Sequence, residues 1–333
     1  MAKVVLGIGT SHSPMVSSPP ELWESHARGY DMLQKDLIDV DGGVCTYAQL
    51  LEKTEGRFAQ LASYQSSRER HERCQAAITR LAEIYATTRP DVAIIIGEDQ
   101  HEQFSADYMP ALLVHWGDSV LNTPRKYGPD AMPSLKASAW AYGKKDETHS
   151  GRADLGLHII ETMVQDGFDV AQSRRLPKES AASIEGIGHA FTFIYHRIMG
   201  GNVTPHVPII LNTYYPPNQP TPKRCFEIGR IIKKAVEIWE PDLRVAVIAS
   251  GGLSHFVLNE KIDLAVIDAL QNNDTEFLKS IPRKQMQSGT SEILNWIALG
   301  ATVDDLRMNL IDYVPCYRSA AGTGIGMAFA SWT

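Results

Sequence analysis

Short apolar, β-branched runs recur along the chain, each closed by glycine, proline or a polar cluster. They lie at Val4–Gly9, Val92–Gly97, Ala111–Val114, Pro208–Thr213 and Arg244–Ser250. Runs of this length that are apolar throughout predict strands covered on both faces. Helical periodicity fills the intervals. The stretch Tyr47–Arg89 repeats apolar positions at Leu50, Leu51, Phe58, Leu61, Ile78, Leu81, Ile84 and Tyr85, with a break near Ser63–Ser67 that predicts two helices. Further helices are predicted at Leu155–Gln165, His189–Met199, Arg224–Glu240, Lys261–Asn272 and Ser291–Leu299. Loops rich in proline and glycine fall at Val16–Pro20, Asn122–Pro133, Tyr214–Pro222 and Arg318–Gly326. Strands alternating with helices predict an α/β fold, a central mostly parallel sheet between two helical layers. No repeat or linker divides the chain, so residues 1–333 are expected to form one catalytic domain with a helical insertion at about 45–90.

Composition narrows the function. The chain has 333 residues, a net charge of −7 and no basic stripe, which argues against nucleic acid as a partner. No apolar run reaches membrane-spanning length, and the N-terminal run reads as a core strand rather than a signal peptide. Cys45, Cys74, Cys225 and Cys316 are far apart in sequence and form no CxxC pair, so neither disulfides nor a zinc knuckle is expected, and a reducing cytoplasm fits.

The histidines carry the functional signal. His12, His101 and His255 each follow a predicted core strand, in Gly9-Thr10-Ser11-His12-Ser13-Pro14, Gly97-Glu98-Asp99-Gln100-His101-Glu102 and Gly251-Gly252-Leu253-Ser254-His255. In open α/β sheets ligands bind beyond the carboxyl ends of the strands, where rigid strands aim loop side chains into one crevice. Any one of these histidines alone reads as a cap or a core residue; three at equivalent places predict a site. Two histidines and one carboxylate with open coordination positions suit non-haem Fe(II), and an imidazole held off the metal can move protons near neutrality. The residues alone do not choose the carboxylate among 39 acidic side chains.

These segments, with Asp91–Phe104, Asn212-Thr213-Tyr214-Tyr215-Pro216-Pro217, Lys223-Arg224-Cys225-Phe226 and Ser288-Gly289-Thr290-Ser291-Glu292-Ile293-Leu294-Asn295-Trp296, resemble the class III extradiol ring-cleavage dioxygenases of the protocatechuate 4,5-dioxygenase beta-subunit type. Within that family the chain is most similar to the single-chain gallate and 3-O-methylgallate dioxygenases. The resemblance implies Fe(II)-dependent opening of a catecholic ring with O2, in the catabolism of lignin-derived and related aromatics. It implies His12 and Glu292 as metal ligands, His255 as the catalytic acid–base and His189 at the substrate pocket. It also implies a homo-oligomer, or a small second chain as a lid.

The family's second metal-binding histidine falls, without a gap, on Gln100. An amide is a weak donor for iron and imidazole a good one, so a one-residue bulge that brings in His101 is expected, with Asp99 as the competitor. A ring carboxylate on the substrate would need a partner among Arg318, Ser319, Tyr214 and Tyr215. His26, His71, His149, His158, His196 and His115 read as surface or packing residues. Two other classes share the pattern: a metal-dependent hydrolase with Zn(II) in the same site, and a binding protein without catalysis.

Overall fold

The computed structural model describes residues 1–176 and 186–333. Among them, eight strands form one sheet: β1 (Lys3–Thr10), β2 (Val92–Glu98), β3 (Leu112–His115), β4 (Ala171–Ser173), β5 (His206–Leu211), β6 (Arg244–Ser250), β7 (Met308–Tyr317) and β8 (Gly324–Trp332). Their order is β7-β8-β1-β6-β2-β5-β3-β4. The centre, β1-β6-β2-β5, is parallel. Antiparallel pairs flank it, with β3 on β5 and the β7-β8 hairpin on β1.

The apolar runs explain the layers. Along β2 and β6, alternate side chains enter opposite cores, as strand geometry requires. Val92, Ile94, Ile96, Val245 and Val247 pack with α3 (Ala153–Gln165), α4 (Pro222–Ile238), α5 (Glu260–Asn272) and α6 (Ile293–Thr302). Ala93, Ile95, Ala246 and Ile248 pack with α2 (Tyr64–Thr88) and the segment after His189. This is the expected three-layer α/β arrangement.

The break in the long helical stretch is wider than its pattern suggested. α1 (Tyr47–Thr54) ends with Glu55 in the left-handed region, and α2 starts at Tyr64 on a Ser63 cap. The helix from His189 becomes a π-turn over Ile194–Ile198. The β7-β8 hairpin was not expected at all; the start of β8, Gly324–Gly326, falls where a loop was predicted. No helix among the described residues is long and apolar enough to cross a membrane.

Candidate active site

The parallel strands deliver their carboxyl ends to one cavity of about 320 Å³. His12 follows β1, Glu98 ends β2, and Tyr214 and His255 follow β5 and β6. His189 begins the segment on one helical layer, and Glu292 caps α6 on the other. His12, His189, His255, Tyr214, Gln100, Glu102, Arg125, Glu292 and Arg318 all line the cavity.

Hydrogen bonds fix the tautomers at its floor. The Ser250 hydroxyl donates to the Ala190 carbonyl at 2.7 Å, so its oxygen accepts from His12 Nδ1 at 3.0 Å. His12 Nε2 is therefore an unprotonated acceptor. His189 Nδ1 lies 2.9 Å from Glu102 Oε2, and a carboxylate only accepts, so this nitrogen carries the proton and His189 Nε2 is bare as well. The two bare nitrogens are 2.9 Å apart. Glu98 Oε1 sits 3.2 Å from one and 3.6 Å from the other, buried and without a hydrogen-bond donor. Three acceptor atoms thus face one another with no donor between them, which is stable only around a cation. Among the described residues His12, Glu98 and His189 form a group able to hold a metal ion.

The charge of Glu98 draws positive charge into this site: burial alone would drive the proton affinity of His12 down, but the negative Glu98 outweighs it and raises it. His189 is pushed down to about 3, chiefly by burial and then by His12. Glu102 orients His189 through its Nδ1 and its backbone N–H, and Arg125 pairs with Glu102 in turn. Such a carboxylate–histidine pair is the usual support behind a metal-binding imidazole.

A second cluster faces the first. His255 Nδ1 donates to the Leu253 carbonyl at 2.8 Å, which turns Nε2 toward the cavity. That nitrogen lies 3.1 Å from the Tyr214 hydroxyl and 3.2 Å from Glu292 Oε1. Tyr214 donates to the same oxygen at 2.7 Å, and Gly252 N–H to the other at 2.5 Å. Burial raises the Glu292 carboxyl, yet His255, His12 and Tyr214 together bring it down to about 2.

The structure places the expected residues unevenly. It brings His12, His189, His255, Tyr214 and Glu292 to one cavity, but not His101. That residue is in the left-handed region, with φ of 61°, its Nδ1 on the Phe104 carbonyl and its ring stacked on Tyr215 at 3.7 Å. No strand bulge turns it inward, and Gln100 faces the cavity, 3.4 Å from Glu292. Asp99 accepts from the backbone of Gln103 and Phe104, and burial raises its carboxyl to about 6; it holds the loop together.

Of the proposed substrate partners, Arg318 reaches the wall but is bound bidentately to Asp31 at 2.9 Å through both bonds. The Ser319 hydroxyl is engaged by Thr323 at 2.7 Å, and Tyr215 by His101. His26, read as a packing or surface residue, is buried in the wall with Nδ1 on Ser134. Sequence reasoning missed Glu98, Glu102 and Arg125. The available signal was Glu98 itself, a carboxylate closing an otherwise apolar strand.

Residues 60–326 match the family model described as the catalytic LigB subunit of aromatic ring-opening dioxygenase. The chain is also similar to a gallate dioxygenase of Pseudomonas putida, 25% identical over 166 residues. That match covers 46% of this chain and 46% of the relative, so the chain spans about half the length of the curated protein it matches.

Proposed function

Since this chain belongs to the family of catalytic LigB subunits of aromatic ring-opening dioxygenases, we propose that it is a non-haem Fe(II) extradiol dioxygenase acting on a catecholic ring with an anionic substituent. The observation that carries this reading is the set of bare acceptor atoms around His12 and His189, facing a separate proton-handling group across one cavity. A two-imidazole, one-carboxylate set suits Fe(II) and leaves positions open for other ligands. Iron, when bound there, would relay electrons from the ionised ring to O2 and supply positive charge to balance the catecholate.

The chain's own residues do the rest. His255 Nε2 takes a proton from a ring hydroxyl and later returns it to oxygen as the ring opens, a role that requires a group near the substrate and off the metal. Tyr214 and Glu292 hold His255 Nε2 in place. Aromatic and aliphatic groups (Phe256, Tyr142, Leu135, Met132) line the cavity and keep water from the opened ring. Arg125 and Arg318 are the cationic groups of the wall and the proposed partners of the substituent. The relative's substrate, gallate, carries such a group on its ring.

The test is anaerobic loading with Fe(II) followed by oxygen uptake on gallate, 3-O-methylgallate, protocatechuate and catechol. Uptake with a ring-opened product is expected, faster with the carboxylated rings. A metal-loaded protein that consumes no oxygen with any of the four would refute the activity. Preference for plain catechol would refute the substituent.

A further inference from the structure

Two buried carboxylates, Glu98 and Glu292, carry charge near His12. We infer that this chain holds its metal through His12, His189 and Glu98, and that Glu292 belongs to the proton-handling group instead. The inference rests on the metal-dependent reading above and departs from the ligand set that resemblance implied, His12 with His101 and Glu292.

Spacing is the first argument. Donors about 2.1 Å from one ion and adjacent on it lie roughly 3 Å apart. His12 Nε2, His189 Nε2 and Glu98 Oε1 are separated by 2.9, 3.2 and 3.6 Å. That is one triangular face of an octahedron, the two-histidine, one-carboxylate arrangement that leaves three positions open.

Hydrogen bonding is the second argument. Glu98 Oε2 is anchored by Asn295 Nδ2 at 2.9 Å, while Oε1 is aimed at the histidines with no donor. Glu292 is the reverse case. Its Oε1 accepts from Tyr214 and Gln100 and lies 3.2 Å from His255 Nε2, and its Oε2 is taken by Gly252 N–H. A metal at Glu292 would have to displace bonds that are already made; one at Glu98 supplies the bond that is missing.

Sequence supplies the third. The loop after β2 carries Gln100 where a histidine ligand is expected, and His101 is turned away onto Tyr215. The lost imidazole is replaced by His189 from the opposite layer, already oriented by Glu102.

The experiment measures cobalt(II) binding to the full chain under anaerobic conditions, by metal content after dialysis and by the visible spectrum of the ion. Glu98→Gln and His189→Ala should each weaken binding more than about 100-fold, beyond the loss typical of groups that only support a ligand. Glu292→Gln should lose less than about tenfold, and His101→Ala nothing. Binding lost in Glu292→Gln as severely as in Glu98→Gln overturns the assignment. If Glu98→Gln does not fold, His189→Ala decides, because the set implied by resemblance makes no use of His189. The predicted binding pattern without oxygen uptake on any catechol would leave this site standing and remove only the dioxygenase activity.

Discussion

His12 and His255 stand in similar loops past parallel strands, yet their hydrogen bonds give them different work. Nδ1 of His12 is fixed on Ser250 and Nε2 points at His189 and Glu98, which suits the metal-ligand role proposed for it. Nε2 of His255 points at a phenol and a carboxylate, which suits the proposed role in proton transfer. His255→Ala should therefore keep its metal and lose about 10²–10⁴-fold in turnover; loss of metal in that variant would refute the role. Histidines at strand ends are visible in sequence because they are few. Glu98 was not, since a carboxylate is one of 39 acidic residues until the fold shows which one lacks a donor. His101 was misplaced for a related reason. Ligand chemistry favoured its imidazole, but the backbone turn that decides its direction has no marker in Asp99-Gln100-His101. The Arg318–Asp31 pair was equally hidden, because its members are 287 positions apart. Both are buried, at 5% and 0% exposure, so Asp31→Ala leaves an uncompensated guanidinium in the cavity wall. It should cost about 3–5 kcal/mol in denaturant unfolding, and Asp31→Leu combined with Arg318→Met much less. Equal losses in the single and double variants would show that the charge is not what matters.

At the scale of elements, period and run length located the parallel strands to within about two residues, as expected where both faces are buried. The β7-β8 hairpin escaped for opposite reasons in its two strands. β7 carries Asn309 and Asp312 among its apolar residues and is only partly covered. β8 is buried throughout but reads Gly324-Ile325-Gly326-Met327-Ala328-Phe329-Ala330-Ser331, too rich in small residues to look like a strand. Small residues also set how closely α4 and α6 approach. A Cβ on Gly229 of α4 would lie 2.1 Å from the Ala298 carbonyl oxygen and 2.7 Å from the Ala301 side chain, both on α6. Backbone cannot yield there as a flexible side chain can, so Gly229→Ala should destabilise by about 1–3 kcal/mol despite alanine's better helix propensity. Glu292 caps α6, so the displacement should also slow turnover while cobalt(II) still binds at the proposed His12–Glu98–His189 site. A variant at least as stable as the wild type would mean that the helices can part freely.

Across the whole molecule, buried neutral histidines tie stability to pH. Burial pulls His26 and His206 from an ordinary 6.5 to about 3. His206 shows why. Its Nδ1 donates to the Thr204 carbonyl at 3.1 Å and its Nε2 accepts from the Tyr195 hydroxyl at 2.6 Å, so the neutral ring is fully bonded inside the sheet. A second ring proton would face that hydroxyl in a site that water does not reach. The sign follows from proton counting. Below pH 6.5 the unfolded chain binds a proton at each of these positions and the folded chain does not, so stability falls as the pH drops from about 6.5 towards 3. Each such histidine contributes a slope of about 1.4 kcal/mol per pH unit in that window. Asp263, raised to about 6 by burial, works against this, since its contribution is lost as the pH rises through 6. Total stability is thus a sum of opposed terms, and a difference between two variants isolates one of them. His206→Gln keeps a donor and an acceptor near Thr204 and Tyr195 but cannot titrate. It should be less stable than the wild type at pH 7.5, and the gap should shift in its favour by about 2 kcal/mol by pH 5, read from urea unfolding at both values. His206 lies outside the cavity lining, so metal loading should not alter this difference. Parallel pH profiles for the two proteins would mean that His206 is protonated in the folded state, and that Tyr195 and Thr204 do not hold it neutral.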